Sequence, residues 1–377
     1  MTTRQQGKIG RAELFSLALA ICLSGFILFG WAEKQYQQQA WLYWGVACCF
    51  GLVFWLVLWG WAHIFAGQSF AEALCYAFGR GGGRVLLLLY AVFWLLLPAG
   101  STVCAVLFWQ RLGGETASFA LYAALFLLSS ACFAATGAIA LARTALLVVA
   151  PALMLTLANL GLTVSGADIG NLLPLTLPQW DILPKAALGG VLVFGNLGVL
   201  LPYLTHTAEV KNRVGTLFDA GVAAALLWLA YILGSLAVLG ASLPLYRFPI
   251  LQVFRLAEVG HWLSRFEVIG ATLLLVVLLL RAAAYFTAAA EVLRYLIPRG
   301  VKYQPWLLAG GLWLILLELS RLLAGAEQIL PLWSSILPWA MLVGSLLIPA
   351  AALASAVIRL KIKSRTVLVH RPEMRTE

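Results

Sequence analysis

The sequence predicts an all-α polytopic membrane protein of about ten transmembrane helices, arranged as a five-plus-five inverted repeat in which helices 1 and 6 are discontinuous. Three observations carry this reading. Of the 377 residues, 63% are hydrophobic and only 11% charged, with a mean hydropathy of +0.95, far too apolar for a soluble core under a wettable surface. The apolar residues fall into ten runs of membrane length. Two of those runs, five spans apart, are interrupted by small polar residues at similar depth.

With about 20 apolar residues needed to cross a bilayer, the predicted spans are 12–31, 41–66, 84–109, 117–140, 144–165, 185–205, 217–241, 267–292, 305–324 and 333–358. They form one transmembrane domain over 1–377, with 12–166 as the first repeat and 184–330 as the second. The last helix, 333–358, and a basic tail, 359–377, lie outside both. The first span carries SGFILFG, with Ser24, Gly25 and Gly30, and has no cleavage site, so it is expected to be retained. Residues 68–80 open on Ser69-x-x-Glu72, a capping-box pattern, and predict a short amphipathic helix before the third span. The fourth and fifth spans are separated by a short turn expected near Arg143.

The sixth span is the most irregular. Residues 191–213, VLVFGNLGVLLPYLTHTAEVKNR, place Gly195, Asn196 and Gly198 at its middle, and Pro202 follows. Glycine weakens a helix interior, and an asparagine amide can capture the backbone groups that a break leaves free. Irregular backbone at that depth survives where protein buries it or where it lines a polar cavity. The alternative is a small-residue patch for close helix packing; the pairing with the break in the first span favours a site. Residues 248–266 set Arg255, Glu258, His261 and Arg265 against Leu251, Phe254, Trp262 and Phe266, the pattern of an interfacial helix that either dresses the membrane or covers the mouth of a pathway.

Most of the 25 basic residues fall on one side when both termini are placed in the cytoplasm, which is the expected orientation. The net charge of +10 is scattered between apolar runs, so it reads as a topology signal next to the lipid bilayer, and no nucleic acid partner is expected. No catalytic residues, metal site or cofactor are expected. The six cysteines, all at or before Cys132, show no CxxC pair, the four histidines have no ligand spacing, and Gly81 to Gly83 lack the Lys-Ser/Thr of a phosphate loop. Glu13, Glu267, Glu318 and Arg321 sit near helix ends, where snorkelling accounts for them. Arg281, placed one to two turns from the inner end of span eight with Tyr285 at i+4, either faces an inner polar cavity or snorkels. The polar groups left to face an internal site include Ser24, Ser101, Thr102, Asn196 and Tyr285, a set suited to a small zwitterion.

Three stretches carry a resemblance to a known family: FGRGGGRVLLLLYAVFWLL (78–96), PKAALGGVLVFGNLGVLLPYL (184–204) and RFPILQVFRLAEVGHWLSRFEVIG (247–270). They resemble the spore germination permeases, the B subunits of the nutrient germinant receptors of endospore-forming bacteria. Membership would imply the amino acid/polyamine/organocation superfamily and its LeuT-like inverted-repeat fold. It would also imply a ligand site at Ser24, Gly25, Gly30, Ser101, Thr102, Gly195, Asn196, Gly198 and Tyr285. The implied role is to sense a small nutrient, such as an amino acid, in the inner spore membrane or bacterial cell membrane. The implied partners are a larger membrane subunit and a lipoprotein subunit. An amino acid transporter of the same superfamily is the alternative.

Overall fold

The computed structural model describes residues 7–28, 37–112, 118–163, 166–173, 183–207, 210–246, 248–256, 266–297, 305–325 and 336–369. Nine helical stretches among these are long and apolar enough to cross a membrane: Arg11–Leu28, Ala40–Ile64, Phe70–Arg111, Phe119–Thr136, Ala138–Thr163, Ala186–His206, Arg213–Leu245, Glu267–Leu296 and Ile336–Arg359. The described helix Pro305–Gly325 lies between the eighth and the last of these in chain order, at the place where the sequence predicts the ninth of ten spans, and is numbered so below.

The turns follow glycine. The short helix expected over 68–80 joins the third span in one element, Phe70–Arg111, which swings at Gly79, where φ is +80°. Its predicted cap forms: Ser69 Oγ accepts from the Glu72 N–H at 3.2 Å, and Glu72 Oε2 accepts from the Ser69 N–H at 2.9 Å. The fourth and fifth spans turn at Gly137, six residues before the expected Arg143. Gly137 adopts φ +91°, which a residue with a Cβ rarely takes.

The repeat is visible in how the spans pack. The first lies against the seventh and the sixth against the second. The third packs on the eighth; the fourth touches the eighth and the ninth touches the third. The fifth lies against the first and eighth, and the tenth against the sixth and third. Exchanging each span for its counterpart five places away maps each of these contacts onto another, or onto itself for the third and eighth, so the two halves share one plan. Tryptophan N–H groups pin several contacts by donating to carbonyls of facing spans: Trp44 to Ala225 at 3.0 Å, Trp55 to Val214 at 3.3 Å and Trp313 to Ala124 at 3.1 Å.

The first and sixth spans sit at the centre. Of their membrane-length stretches 72% and 89% are buried, against 22% for the fourth. The outer faces are apolar and open, as with Leu147 at 76% and Met154 at 73% exposed, a pattern suited to lipid contact. On the connection expected to be interfacial, the described part is the helix Pro249–Leu256, whose Ile250, Leu251, Val253 and Phe254 are buried against the bundle. Its Arg255 donates to the Arg111 carbonyl at the end of span three at 3.0 Å. Trp262 and the Phe266 side chain, expected on the same element, lie outside what is described.

Candidate functional site

The sixth span is α-helical over Leu183–Phe194 and then tightens into 3-10 helix over Gly195–Leu200 and again over Pro202–His206. The switch falls at the GNLG sequence. It changes the hydrogen-bond partner from i−4 to i−3, which leaves carbonyls of the last α turn without their usual donors. Asn196 supplies the replacement: its Nδ2 donates to the Leu192 carbonyl and, at 3.4 Å, to that of Val193.

The other atom of the same amide faces a buried cation. Asn196 Oδ1 accepts from Arg281 Nη2 at 2.8 Å and Nε at 3.3 Å, and from the Tyr285 hydroxyl at 2.6 Å. Arg281 Nη1 donates to Ser101 Oγ, which in turn donates to the Leu97 carbonyl at 2.8 Å. The Tyr285 ring lies one helical turn beyond Arg281, 4.9 Å from the guanidinium carbon, and adds a cation–π contact. Arg281 is 2% exposed. It is the central residue of the 31-residue helix Phe266–Leu296, deeper than the one to two turns from the inner end expected from the sequence, so of the two expected alternatives snorkelling does not describe it. Small neighbours in the run AAAYFTAAA, with Ala282, Ala283, Ala284, Ala288 and Ala289 fully buried, let span eight sit close enough for the arginine to cross to spans three and six.

Among the described residues no carboxylate pairs with this cation. The four ion pairs among the described residues are Arg11–Asp219, Arg143–Glu13, His206–Glu291 and Arg321–Glu318. Three of them stand on the face that carries the N-terminus. There His206 and Glu291 join spans six and eight at 3.0 Å, Arg11 and Asp219 join one and seven at 2.9 Å, and the Ile9 N–H donates to the His206 carbonyl at 2.8 Å. These contacts tie spans one, six, seven and eight together on that face. Among the described residues no three His, Cys, Asp or Glu side chains come together to hold a metal.

Of the residues expected at a site, Ser101, Asn196 and Tyr285 come together around Arg281, which the expected set omitted. The signal for it was an arginine and a tyrosine at i+4 inside an apolar run. The rest lie differently. Ser24 Oγ donates to the Ile21 carbonyl at 2.6 Å and Thr102 Oγ1 to the Pro98 carbonyl at 2.8 Å, both within their own helices. Gly25 is buried in the short helix Gly25–Leu28. Gly195 and Gly198 each lie close to a neighbouring side chain. A Cβ on Gly195 would sit 3.3 Å from the Phe54 ring, and one on Gly198 would meet Ser345 Cβ and Oγ at 2.8 Å. Gly30 lies outside the described residues.

The chain resembles solved transporters over most of its length. MhsT, solved in complex with L-phenylalanine, matches with a TM-score of 0.66 at 16% identity, covering 92% of this chain and 87% of its own. Mhp1, a nucleobase-cation-symport-1 family transporter solved in a closed conformation with bromovinylhydantoin bound, matches with a TM-score of 0.59 at 14% identity, covering 98% of this chain and 95% of its own. These likenesses establish the LeuT-like fold. No curated protein matches the sequence. A family model described as spore germination protein matches residues 8–319, and the chain belongs to that family.

Proposed function

We propose that this member of the spore germination protein family senses a small nutrient, an amino acid in the simplest case, at the Arg281 cluster and passes the signal to partner subunits. Those partners are a larger membrane subunit and a lipoprotein. The observation that supports this most is the bridge from Asn196 to Arg281 and Ser101, which ties the irregular turn of span six to spans three and eight. A ligand that engages any of these groups changes the contacts of all three spans, and a ligand shifts a conformational equilibrium by its differential contacts with the two states.

The second reading, an amino acid transporter, is favoured by the likeness to transporters, one of them solved with L-phenylalanine. Two measurements with the same nutrient mixture separate the readings. Spores carrying the wild-type chain should lose refractility on exposure, and spores lacking it should not. Proteoliposomes holding the chain alone should accumulate little or none of the labelled nutrients under an imposed ion gradient, because no Asp or Glu is among the buried residues described that could carry a proton. Concentrative uptake would replace the sensor with the transporter.

A further inference from the structure

We infer that Arg281 is a carboxylate receptor, so that the group recognised at the centre of the bundle is a small monocarboxylate, free or as part of a zwitterion. This inference rests on the reading of the cluster as a ligand site.

The argument begins with hydrogen-bond capacity. A guanidinium carries five N–H donors in a planar fork and has no acceptor. Three well-aligned donations from Arg281 are made, two to Asn196 Oδ1 and one to Ser101 Oγ, and the Tyr285 hydroxyl lies close enough to engage the guanidinium as well, so the fork of terminal nitrogens still has N–H capacity beyond its well-aligned bonds to the described residues. The strongest acceptor nearby, the amide oxygen, is fully used, and both hydroxyl protons are already given away. Asn196 Oδ1 receives three donors, and Ser101 Oγ receives Arg281 while giving its own proton to Leu97. The Tyr285 hydroxyl gives its proton to the same amide oxygen. What the cluster has left to offer is therefore donors and positive charge, with little to hold an ammonium or an amide N–H.

Electrostatics points the same way. A buried ion costs several kcal/mol even after relaxation, and neutral partners return only part of it. At 2% exposure, Arg281 has no ion-pair partner in the described structure. A carboxylate is the small anion whose two oxygens match a guanidinium fork. It would satisfy the remaining donors and cancel the charge together. Because Arg281 is enclosed by three spans, the anion reaches it only when they part, so occupancy and rearrangement are one event.

The test uses the full chain in lipid nanodiscs and reads its thermal unfolding temperature. Three probe pools are compared at equal ionic strength: natural amino acids, the carboxamides of the same amino acids, and acetate, propionate and lactate. At least one carboxylate pool should raise the unfolding temperature and the amide pool should not. Stabilisation by the amino acids alone identifies a zwitterion, and stabilisation by the simple acids as well means that the carboxylate suffices. Arg281→Gln should weaken the active pool by roughly 10-fold or more, as expected for a lost charge-assisted pair. Arg281→Lys, which keeps the charge without the fork, should fall between. Equal stabilisation by amides, no effect of either carboxylate pool, or wild-type affinity in Arg281→Gln would each overturn the inference. If that variant does not accumulate, the carboxylate-to-amide comparison on the wild type decides alone. Spores that respond to amides as well as to amino acids would remove the carboxylate receptor and leave the sensor. Carboxylates that bind in nanodiscs but trigger no spore response would do the reverse.

Discussion

The first and sixth spans hold equivalent places in the two repeats, yet they are interrupted to different degrees. In the first, Arg11–Leu23 gives way to Gly25–Leu28 across Ser24, which keeps right-handed helical angles (φ −56°, ψ −21°). In the sixth, 3-10 turns run from Gly195 to His206. Each break is capped by a side chain that donates to the preceding turn, Ser24 to Ile21 and Asn196 to Leu192. The first break also borrows from outside, since Trp228 of span seven donates to the Cys22 carbonyl at 3.3 Å. The lesson lies in the second atom. Ser24 spends its only proton on the cap, whereas Asn196 caps with nitrogen and still presents an oxygen, so the same residue repairs the backbone and holds Arg281.

This contrast can be broken by substitution. The largest effect should come from Asn196→Ala, which strips the acceptor from two Arg281 N–H groups and the Tyr285 hydroxyl while removing the Leu192 cap. Unsatisfied buried donors cost about 1–3 kcal/mol each, so thermal stability should fall by at least about 2 kcal/mol. Preserved stability would mean that water replaces the amide and that the break is no longer tied to the cation. Next comes Gly198→Ala, whose methyl would press on Ser345 of span ten at 2.8 Å. Overpacking of this kind costs about 1–3 kcal/mol, and Ser345→Gly in the same chain should recover part of the loss in a membrane-abundance and melting assay. A Gly198→Ala chain that is as stable as wild type would return that glycine to the role of open ligand space. The smallest effect belongs to Ser24→Ala, which removes one hydroxyl bond within a helix and should cost below about 1 kcal/mol. A loss there equal to that of Asn196→Ala would erase the distinction between the two breaks.

Much of the architecture was legible in the residues because lipid imposes it. A chain that cannot leave backbone groups unpaired in hydrocarbon must write its spans as long apolar runs, and the capping pattern Ser69-x-x-Glu72 marks a helix start by local chemistry alone. The break at Gly195 and Asn196 was readable for the same reason. The partners were not. Asn196 and Arg281 are separated by 85 positions, and only packing reveals that one amide oxygen serves both Arg281 and Tyr285. Likewise, glycine permits close approach without saying to what. Phe54 and Ser345 stand where a Cβ on Gly195 or Gly198 would go. Arg281 lies at the midpoint of its helix, and the sequence left open whether it snorkels or faces a polar cavity because nothing local to it names Asn196 or Ser101 as its partners.

A cation fixed at the middle of a membrane helix also sits inside the transmembrane voltage. Moving one elementary charge across the full potential changes its energy by about 2.3 kcal/mol per 100 mV. A bare carboxylate that travels halfway to reach Arg281 therefore gains or loses roughly 1 kcal/mol at that potential, according to the face it enters from. A zwitterion carries no net charge on the same journey. On the proposed reading, the chemical form of the ligand would thus decide whether its binding is independent of how well the membrane is energised or follows it.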